Sequence, residues 1–404
     1  MLVPKLRFKR EDGTDYPEWK NQKLSAVSSR VTRKNKGNIT DIPLTIASLY
    51  GLVDQREYFK KTIASQNMEG YYLLHNGEFA YNKSYSKGFD FGAIKRLDRY
   101  DCGALSTLYI CFAVNNKVDS DFMTHYFDSQ KWNKEVSIRC AEGARNHGLL
   151  NISTDDFFDI DMTLPTDLEE QRKIADFLST VDEVIAQSEA EVQNLEQQKK
   201  AAMQKIFSQE VRFKREDGTD YPEWEEKKFG TIMDCYSGGT PSSKNKQYYN
   251  GKIPFIRSGE IHFSETELFL SEEGLNKSAA KMVKVGDLLY ALYGATSGEV
   301  DISKINGAIN QAILCIIPYS DNRLYLKFWL ESFKTVITTK LLQGGQGNLS
   351  AELIKSLRLP IPHIEEQQKI ADFLSAYDEA IRYAKQELNK WKELKKGLLQ
   401  QMFV

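Results

Sequence analysis

Two segments of this chain each occur twice, and the repeat restricts the fold more than any other feature. Residues 7–19 and 212–224 share the sequence RFKREDGTDYPEW without a single difference. A second segment, EEQRKIADFLSTVDEVI at 169–185, recurs as EEQQKIADFLSAYDEAI at 365–381. Internal repeats of this kind indicate a chain built from equivalent structural units. We therefore expect two halves with a common plan.

The sequence between the repeated segments is not repeated. Residues 25–163 and 230–358 share almost no identity, although they hold equivalent places in the two halves. A chain that keeps the repeated segments constant while the sequences between them differ is suited to binding two different targets in one geometry. The predicted divisions are two variable domains, each followed by a repeated helix: 1–163, 164–209, 210–358 and 359–404.

Composition excludes several classes of protein. Apolar residues make up 41% of the 404 residues, which is enough for real cores. The five cysteines form no Cys-x-x-Cys pair, which argues against a disulfide scaffold or a structural zinc site. The longest strongly apolar run, 312–317, is the size of a strand, and the N-terminus lacks the apolar core of a signal peptide. We expect a cytoplasmic protein that does not associate with membranes.

Charge is unevenly distributed, although the net charge is only −2. Residues 20–38 hold six basic residues and no acidic one, and residues 227–257 hold six basic residues against the single acid Asp234. Residues 155–196 carry thirteen acids and two bases. Each run taken alone is equally consistent with an ordinary solvated surface. A basic run at the start of both variable stretches favours nucleic-acid binding.

The repeated helices have apolar residues at alternating intervals of four and three. This spacing predicts coiled-coil helices, the first about 50 Å long at 1.5 Å per residue. Lys199 and Lys395 occupy equivalent polar positions in the two seams, and Thr166 with Glu169 predicts a capping box. Ordinary long helices with a core face are the alternative. The seam positions are Ile174, Leu178, Val181, Ile185, Val192, Leu195, Ala202 and Ile206, and then Ile370, Leu374, Tyr377, Ile381, Ala384, Leu388, Trp391, Leu398 and Met402.

The order of segments also predicts how the chain ends meet. The first helix runs to Phe207 and the repeated segment follows at once, whereas the second helix runs to Phe403 and the chain stops. The element missing there is the copy near the N-terminus. We therefore expect the termini to lie close together and the two helices to pack antiparallel, with a pseudo-two-fold relation between the halves.

The variable domains show one order of elements despite different sequences. Short strands are predicted at Gly77–Tyr81 and Gly286–Tyr290, and longer apolar strands at Leu105–Val114 and Ala308–Ile317. An aromatic-rich helix follows in each half, then a polar loop rich in glycine and asparagine. The helices are predicted at 121–136 and 322–339 and the loops at 142–148 and 343–348. This order predicts two α+β domains of one fold.

Several motifs together resemble the specificity subunit of type I restriction–modification systems. These motifs are the EEQxKIADFL helix, the segments 237–242 (SGGTPS) and 253–261 (IPFIRSGEI), and Gly347-Asn348-Leu349-Ser350. The resemblance covers essentially the whole chain. In the first half the SGGTPS pattern is absent, and a basic loop at 30–37 takes its place. Motif-based assignments are therefore carried over mainly in the second half.

The resemblance implies a non-catalytic subunit that binds double-stranded DNA. Its fold would be two pseudo-symmetric target recognition domains joined by two long antiparallel coiled-coil helices. Each domain would bind one half of an asymmetric bipartite target. The partners implied are two methylation subunits and two motor-nuclease subunits. S-adenosylmethionine, ATP and Mg²⁺ would belong to those partners, so the chain itself would need no cofactor.

Candidate DNA-binding residues follow from residue type. Lys and Arg neutralise phosphate, whereas Asn, Gln and Arg can bind base edges with two hydrogen bonds. Glycine also permits close approach of the backbone. Plain surface turns and flexible loops are the alternatives at these positions. The candidates are Arg30, Arg33, Lys34, Lys36, Arg145, Asn146 and His147 in the first half, and Ser242, Ser243, Lys244, Lys246, Arg257, Gln343, Gln346 and Asn348 in the second.

Protein contacts are expected along the repeated segments. Trp19 and Trp224 are identical in the two halves, so they cannot distinguish two targets, and packing or partner contact is favoured. The candidate partner-binding residues on the helices are Ile174, Leu178, Ile185, Ile370, Leu374 and Ile381.

Catalytic motifs are missing from the sequence. Residues 294–298 (GATSG) lack the lysine of a phosphate-binding loop, and no Asn/Asp-Pro-Pro-aromatic motif of adenine methyltransferases occurs. The five histidines show no metal-ligand spacing. Two other classes remain as alternatives: a coiled-coil interaction scaffold without DNA contact, and a stand-alone DNA methyltransferase or nuclease.

Overall fold

The computed structural model describes residues 3–48, 50–59, 67–140, 150–342 and 349–404. The chain divides into two compact units. Unit 1 comprises Met1–Glu189 with Gln386–Val404, and unit 2 comprises Ala190–Lys385. Each unit therefore contains one variable domain together with parts of both long helices.

Unit 1 is built from two four-stranded sheets and a short two-stranded ladder. The sheets have the strand orders β2-β9-β6-β7 and β4-β3-β8-β5, and β1 pairs with β10. The strands are β1 (Lys20–Lys23), β2 (Ser28–Arg30), β3 (Pro43–Ala47), β4 (Gly51–Asp54), β5 (Tyr72–His75), β6 (Phe79–Asn82), β7 (Ala93–Arg96), β8 (Cys102–Leu105), β9 (Ile110–Val114) and β10 (Asp161–Leu164). The helices of the variable part are α1 (Leu24–Val27), α2 (Gln55–Phe59), α3 (Ser120–Asp128), α4 (Asn133–Arg139) and α5 (Thr154–Phe158).

Unit 2 repeats this arrangement strand for strand. Its sheets have the orders β12-β19-β16-β17 and β14-β13-β18-β15, and β11 pairs with β20. The strands are β11 (Glu225–Lys228), β12 (Met233–Ser237), β13 (Ile253–Ile256), β14 (Leu268–Leu270), β15 (Lys281–Val283), β16 (Leu288–Ala291), β17 (Val300–Ile302), β18 (Gly307–Ile309), β19 (Ile313–Pro318) and β20 (Arg358–Ile361). The helices are α7 (Glu272–Asn276), α8 (Arg323–Ser332), α9 (Lys334–Leu342) and α10 (Ala351–Ser356). Two variable domains of one α+β fold are thus confirmed.

Two predicted long strands are each divided by a turn. The stretch predicted as Leu105–Val114 holds the end of β8 and all of β9, with a turn in which Tyr109 N donates to Ser106 O at 3.2 Å. Ala308–Ile317 likewise covers parts of β18 and β19. The reason is topological. In each unit the chain crosses here from one sheet to the other, and one continuous strand cannot pair in both.

The predicted aromatic helices are also divided. The helix expected at 121–136 forms α3 and α4, because Gln130 between them adopts a positive φ of 59°. The helix expected at 322–339 forms α8 and α9. The aromatic side chains Phe122, Tyr126, Tyr325 and Phe328 are all buried. Phe122 and Tyr126 pack against Phe403, and Tyr325 packs against Phe207. The prediction of an aromatic-rich helical segment in each half is therefore confirmed, but each segment forms two helices and not one.

The long helices are α6 (Leu168–Phe207) and α11 (Ile364–Met402). In unit 1, Lys395 pairs with Asp182 and Lys392 with Glu189, so residue numbers rise along one helix as they fall along the other. In unit 2, Lys385 pairs with Glu196 in the same sense. The helices thus pack antiparallel, as predicted. Among the described residues no helix has the length and apolar content required to cross a membrane.

At the ends of the long helices, one prediction is wrong and one is confirmed. The predicted capping residue Thr166 is wrong, because Asp167 caps α6 by accepting from Glu169 N at 2.9 Å. Asp167 is the residue directly before the helix, and it also accepts from Arg10 Nη2 at 2.8 Å. The prediction that the termini meet is confirmed within unit 1, where Leu6 N donates to Gln401 O at 3.0 Å. Phe403 is buried in the core of that unit.

Candidate nucleic-acid interface and its support

A buried carboxylate joins the repeated segment to the long helix in unit 1. Glu170, with none of its side chain exposed, accepts hydrogen bonds from Arg7 Nε at 2.7 Å and Trp19 Nε1 at 3.1 Å. Arg7 also donates to the carbonyl of Pro17. The hydrogen bond to Glu170 raises the pKa of Arg7. We call such a glutamate, with its arginine and tryptophan, a carboxylate anchor.

The same anchor recurs in unit 2. Glu366 is fully buried and accepts from Arg212 Nη2 at 2.9 Å and Trp224 Nε1 at 3.0 Å. Arg212 donates to Pro222 O at 2.6 Å, and its hydrogen bond to Glu366 raises its pKa. An unpaired buried charge is costly, so the donors and the acceptor must be kept together. Trp19 and Trp224 therefore have a packing and hydrogen-bonding role inside the chain.

The glutamine after each buried glutamate holds the aromatic helix of the variable domain. Gln171 Nε2 donates to Pro165 O at 2.8 Å, and its Oε1 accepts from the backbone N–H of Asp119, which caps α3, at 2.7 Å. Gln367 Oε1 accepts from the N–H of Asn322, the cap of α8, at 2.8 Å. The sequence shows this glutamine twice, but its partners could not be found from sequence.

A lysine of the long helices holds the opposite end of each aromatic helix, and the lysine of unit 2, Lys199, is buried. Lys199 lies 2.6 Å from Glu331, the residue near the end of α8, and 2.7 Å from Asp378 on α11. Burial by itself lowers the pKa of Lys199, but the carboxylates of Glu331 and Asp378 outweigh it, so the pKa is raised.

The equivalent lysine of unit 1 makes the equivalent contacts. Lys395 lies 2.6 Å from Asp182 on α6 and 3.8 Å from Asp128, the last residue of α3. The two polar positions in the predicted seams are thus ion-paired sites that attach a variable domain to both long helices.

The basic run of unit 1 is partly neutralised by the chain itself. Arg33 binds both oxygens of Glu78, at 2.7 and 2.8 Å. Lys34 donates to Gly70 O at 3.0 Å, and its Nζ lies 4.1 Å from the ring centroid of Tyr72. Arg30 is exposed and 3.4 Å from the Tyr72 hydroxyl.

Lys36 differs from its neighbours in the same run. It is exposed and pairs with no carboxylate in the described part of the chain. Of the four predicted contacts in this run, Lys36 is therefore the most available for phosphate.

The motif Ser237–Ser242 of unit 2 is positioned by its two glycines. A Cβ at Gly238 would overlap the carbonyl of Ile309, and one at Gly239 would lie 2.6 Å from Ala279 Cβ. The close approach that glycine permits here is to the chain's own sheet. The loop beyond it presents exposed Ser242, Ser243, Lys244 and Lys246, and neither lysine has a carboxylate partner among the described residues.

Arg257 is held by two carboxylates. Its guanidinium donates to Glu260 at 3.0 Å and to Glu267, and these hydrogen bonds raise its pKa. The pair fixes the 3₁₀ turn Ser258–Glu260. A DNA contact by Arg257 remains a prediction, and it would require exchange of a carboxylate for phosphate.

Six predicted DNA-binding residues lie outside the described residues: Arg145, Asn146, His147, Gln343, Gln346 and Asn348. The residues that follow these loops are placed. Leu150 N donates to Lys83 O at 2.9 Å, and Leu349 N donates to Leu292 O at 3.0 Å. In each unit the chain therefore returns next to the turn that follows the same sheet strand, β6 or β16.

The predicted partner-binding residues have two different environments. Ile174, Leu178, Ile370 and Leu374 are buried in the cores of their own units. Ile185 and Ile381 are only partly buried. Contact of these six residues with a partner subunit remains a prediction.

The described residues contain no group of three or more His, Cys, Asp or Glu side chains arranged to hold a metal ion. Burial raises the pKa of the Cys111 thiol to about 12 and that of Cys315 to about 11. These cysteines therefore belong to the cores.

Comparison with known proteins identifies the family of the chain. The family model described as the type I restriction modification DNA specificity domain matches residues 33–197 and 221–393. Two matches of this extent, one per half, cover most of the sequence. The chain belongs to this family of DNA specificity domains, and the resemblance inferred from its motifs is confirmed.

Individual relatives agree with this assignment. The chain is 27% identical over 316 residues to the type I restriction enzyme MjaVIII specificity subunit of Methanocaldococcus jannaschii, covering 74% of this chain and 72% of the relative. It is 25% identical over 166 residues to the EcoR124I/EcoR124II specificity subunit of Escherichia coli, covering 39% and 41%.

Solved structures share the fold. The S subunit of a type I restriction-modification system from M. genitalium superimposes with a TM-score of 0.62 at 15% identity, over 100% of this chain and 99% of that one. A chain from a type I system studied for complex assembly and conformational transition gives 0.58 at 17% identity, over 96% and 98%.

Loss of the buried glutamate of a carboxylate anchor should destabilise the protein strongly. Glu366→Ala should lower the free energy of unfolding by about 3–5 kcal/mol, because it leaves the partly buried Arg212 guanidinium and the Trp224 N–H without their carboxylate. Urea unfolding monitored by circular dichroism measures this. The neighbouring Glu365→Ala is the matched control, since that side chain is 62% exposed and should change stability by less than about 0.5 kcal/mol. Equal effects of the two substitutions would contradict the anchor.

A second prediction concerns pH. His262 lies 3.0 Å from Asp301 and 3.2 Å from Glu299, and the hydrogen bond to Asp301 raises its pKa. Since the pKa is higher in the folded state, the stabilisation is fully present below about pH 6.5 and is lost as pH rises through the raised pKa. The stability difference between the wild type and His262→Gln should therefore shrink from pH 6 to pH 9. A difference that does not change with pH would refute the ion pairing.

Proposed function

We propose that this chain is the specificity subunit of a type I restriction–modification complex and that it binds an asymmetric bipartite DNA target. Unit 1 binds one half-site and unit 2 the other. The observation that supports the proposal best is the set of contacts that both units repeat. Both units use the same carboxylate anchor, the same glutamine contact and the same ion-paired lysine to hold variable domains whose sequences differ. The relatives and the family model support the same role.

The chemical steps belong to other subunits in this proposal. Two methylation subunits bring S-adenosylmethionine, and two motor-nuclease subunits bring ATP and Mg²⁺. The specificity subunit selects the DNA and positions these partners for adenine methylation or for cleavage. Assembly and action on DNA take place in the cytoplasm.

A scaffold without DNA contact is the second candidate. One observation favours it, since Arg33 and Arg257 already have carboxylate partners. Filter binding of the chain with its methylation subunit to a library of duplexes separates the two candidates. Retention of a defined bipartite sequence supports the specificity subunit, and absence of any sequence-dependent retention supports the scaffold.

Exchange of one variable domain gives a test of modularity. Replacing 230–358 with the equivalent stretch of a relative leaves both carboxylate anchors in place. One half of the methylated motif should then change while the other half stays. Methylome sequencing of a host that carries the hybrid with its methylation subunit measures this. A change in both halves, or in neither, would contradict one half-site per unit.

Helix length should set the gap between half-sites. An insertion after Phe207 is unsuitable as a test, because Phe207 and the following Arg212 both pack inside unit 2, so the extra residues would only lengthen a loop there. The informative change adds seven residues to both helices, after Glu189 and after Lys385, where the units divide. One heptad keeps the apolar seam and lengthens each helix by about 10 Å.

The gap should then grow by about three base pairs, at 3.4 Å per step. Methylome mapping of the double insertion measures the new spacing. The control inserts seven residues in α6 alone, which breaks the pairing of α6 with α11 and should abolish activity. An active double insertion that still methylates the parental spacing would rule out the helices as the determinant of the gap.

A further inference from the structure

The turn between β6 and β7 in unit 1 is an exposed hairpin with the composition of a DNA-binding loop. Residues 83–88 have the sequence KSYSKG. The turn is closed by mutual backbone hydrogen bonds between Ser86 and Phe89, at 3.3 and 2.8 Å, and by Gly88 at a φ of 83°. Tyr85 at its tip is 60% exposed, and Lys87 is exposed beside it.

The two lysines of this hairpin differ electrostatically from the basic residues already considered. Neither Lys83 nor Lys87 has a carboxylate within ion-pair distance in the part of the chain that the structure describes. Arg33, by contrast, binds both oxygens of Glu78. A cation without a carboxylate partner binds phosphate without first breaking an ion pair.

The hairpin is in contact with two neighbouring segments of unit 1. Leu150, the first described residue after Arg145-Asn146-His147, donates from its backbone to Lys83 O. Ser86 Oγ lies 3.0 Å from Ser48 Oγ, in the turn that carries Tyr50, and Tyr50 is 63% exposed. Two exposed tyrosines and two lysines without a carboxylate partner in the described chain thus share one surface of unit 1.

The fold does not require this composition. The equivalent turn of unit 2, between β16 and β17, spans 292–299 and contains no lysine. It is instead closed by Gly298 N donating to Ala291 O at 2.9 Å and by Ser297 Oγ donating to Leu292 O at 3.2 Å. The lysines are therefore confined to the turn of the first recognition domain, and the tyrosine of the unit 2 turn, Tyr293, is only partly exposed.

We propose that the hairpin 83–88 binds the sugar–phosphate backbone of duplex DNA at the first half-site. Lys83 and Lys87 bind phosphates, and the Tyr85 hydroxyl donates to a phosphate while its ring packs against the sugar. Contacts of this kind fix the position of the protein on DNA without selecting bases. The inference rests on the proposed function, since it assigns a role within DNA binding.

The test uses the full chain in complex with its methylation subunit and a fluorescent duplex that carries the methylated motif. Fluorescence anisotropy gives Kd over a range of salt concentrations. Lys83→Ala/Lys87→Ala should reduce the slope of log K against log salt by about two, one for each phosphate that a lysine no longer neutralises. The loss of affinity should be the same for the matched duplex and for one mutated in the first half-site.

Tyrosine variants separate the hydroxyl from the ring. Tyr85→Phe loses the phosphate hydrogen bond and should weaken binding roughly threefold to tenfold, and Tyr85→Ala should weaken it further. Because Tyr85 is exposed, both variants should keep the wild-type unfolding midpoint. Two controls match these changes: Lys5→Ala/Lys200→Ala removes two exposed lysines outside the variable stretches that have no carboxylate partner among the described residues, and Tyr319→Ala removes a tyrosine that is 68% exposed in unit 2.

The outcomes distinguish this inference from the proposed function. A complex that binds its bipartite motif with an unchanged salt slope in the hairpin double variant refutes the hairpin contact and leaves the proposed function standing. A slope reduced equally by the Lys5/Lys200 control also refutes it, because total charge then explains the effect. A wild-type complex with no sequence-dependent binding refutes the proposed function itself.

Discussion

A carboxylate buried in each unit, Glu170 or Glu366, is the interaction on which the rest of the structure depends. A charged group out of contact with water is tolerated only where hydrogen-bond donors replace that water. One short segment supplies those donors in each unit, an arginine and a tryptophan that also packs in the core. Loss of either donor leaves the charge partly uncompensated. This constraint explains why arginine and tryptophan persist in both copies of the segment while the sheets beside them have diverged.

The anchors extend their control to the variable domains through α3 and α8. Each helix is held at its beginning by a glutamine next to the buried glutamate and near its end by an ion-paired lysine of the other long helix. Lys199 and Lys395 thus each connect three helices at one point. Since both ends of α3 and α8 are fixed, the sheets and loops can change sequence without moving the domain from its support. Fixed attachment and free variation are what the proposed binding of two different half-sites requires of one supporting structure.

Sequence alone predicted the parts of this fold that depend on local pattern. The spacing of apolar residues such as Ile174 and Leu178 predicted the long helices, and the order of segments predicted their antiparallel packing. Contacts between distant residues were not predictable. Lys199 was recognised as a polar position in a seam, but Glu331 is 132 residues away. Arg33 was chosen for its charge, and nothing local shows that Glu78 neutralises it. The crossing between sheets after β8 was missed for the same reason, because strand partners are far apart in sequence.

Some basic residues of this chain are paired with carboxylates and others are not. In a chain of net charge −2, this difference changes how a DNA-binding surface should be identified. Counting basic residues gives equal weight to Arg257, which two carboxylates already hold, and to Lys246, which has no carboxylate partner among the described residues. A phosphate gains a full charge interaction only from a cation without a carboxylate partner. A cation that is already paired must exchange its carboxylate for the phosphate. The salt dependence of DNA binding counts phosphates that are newly neutralised. It should therefore follow the unpaired lysines on the recognition domains and not the total number of basic residues.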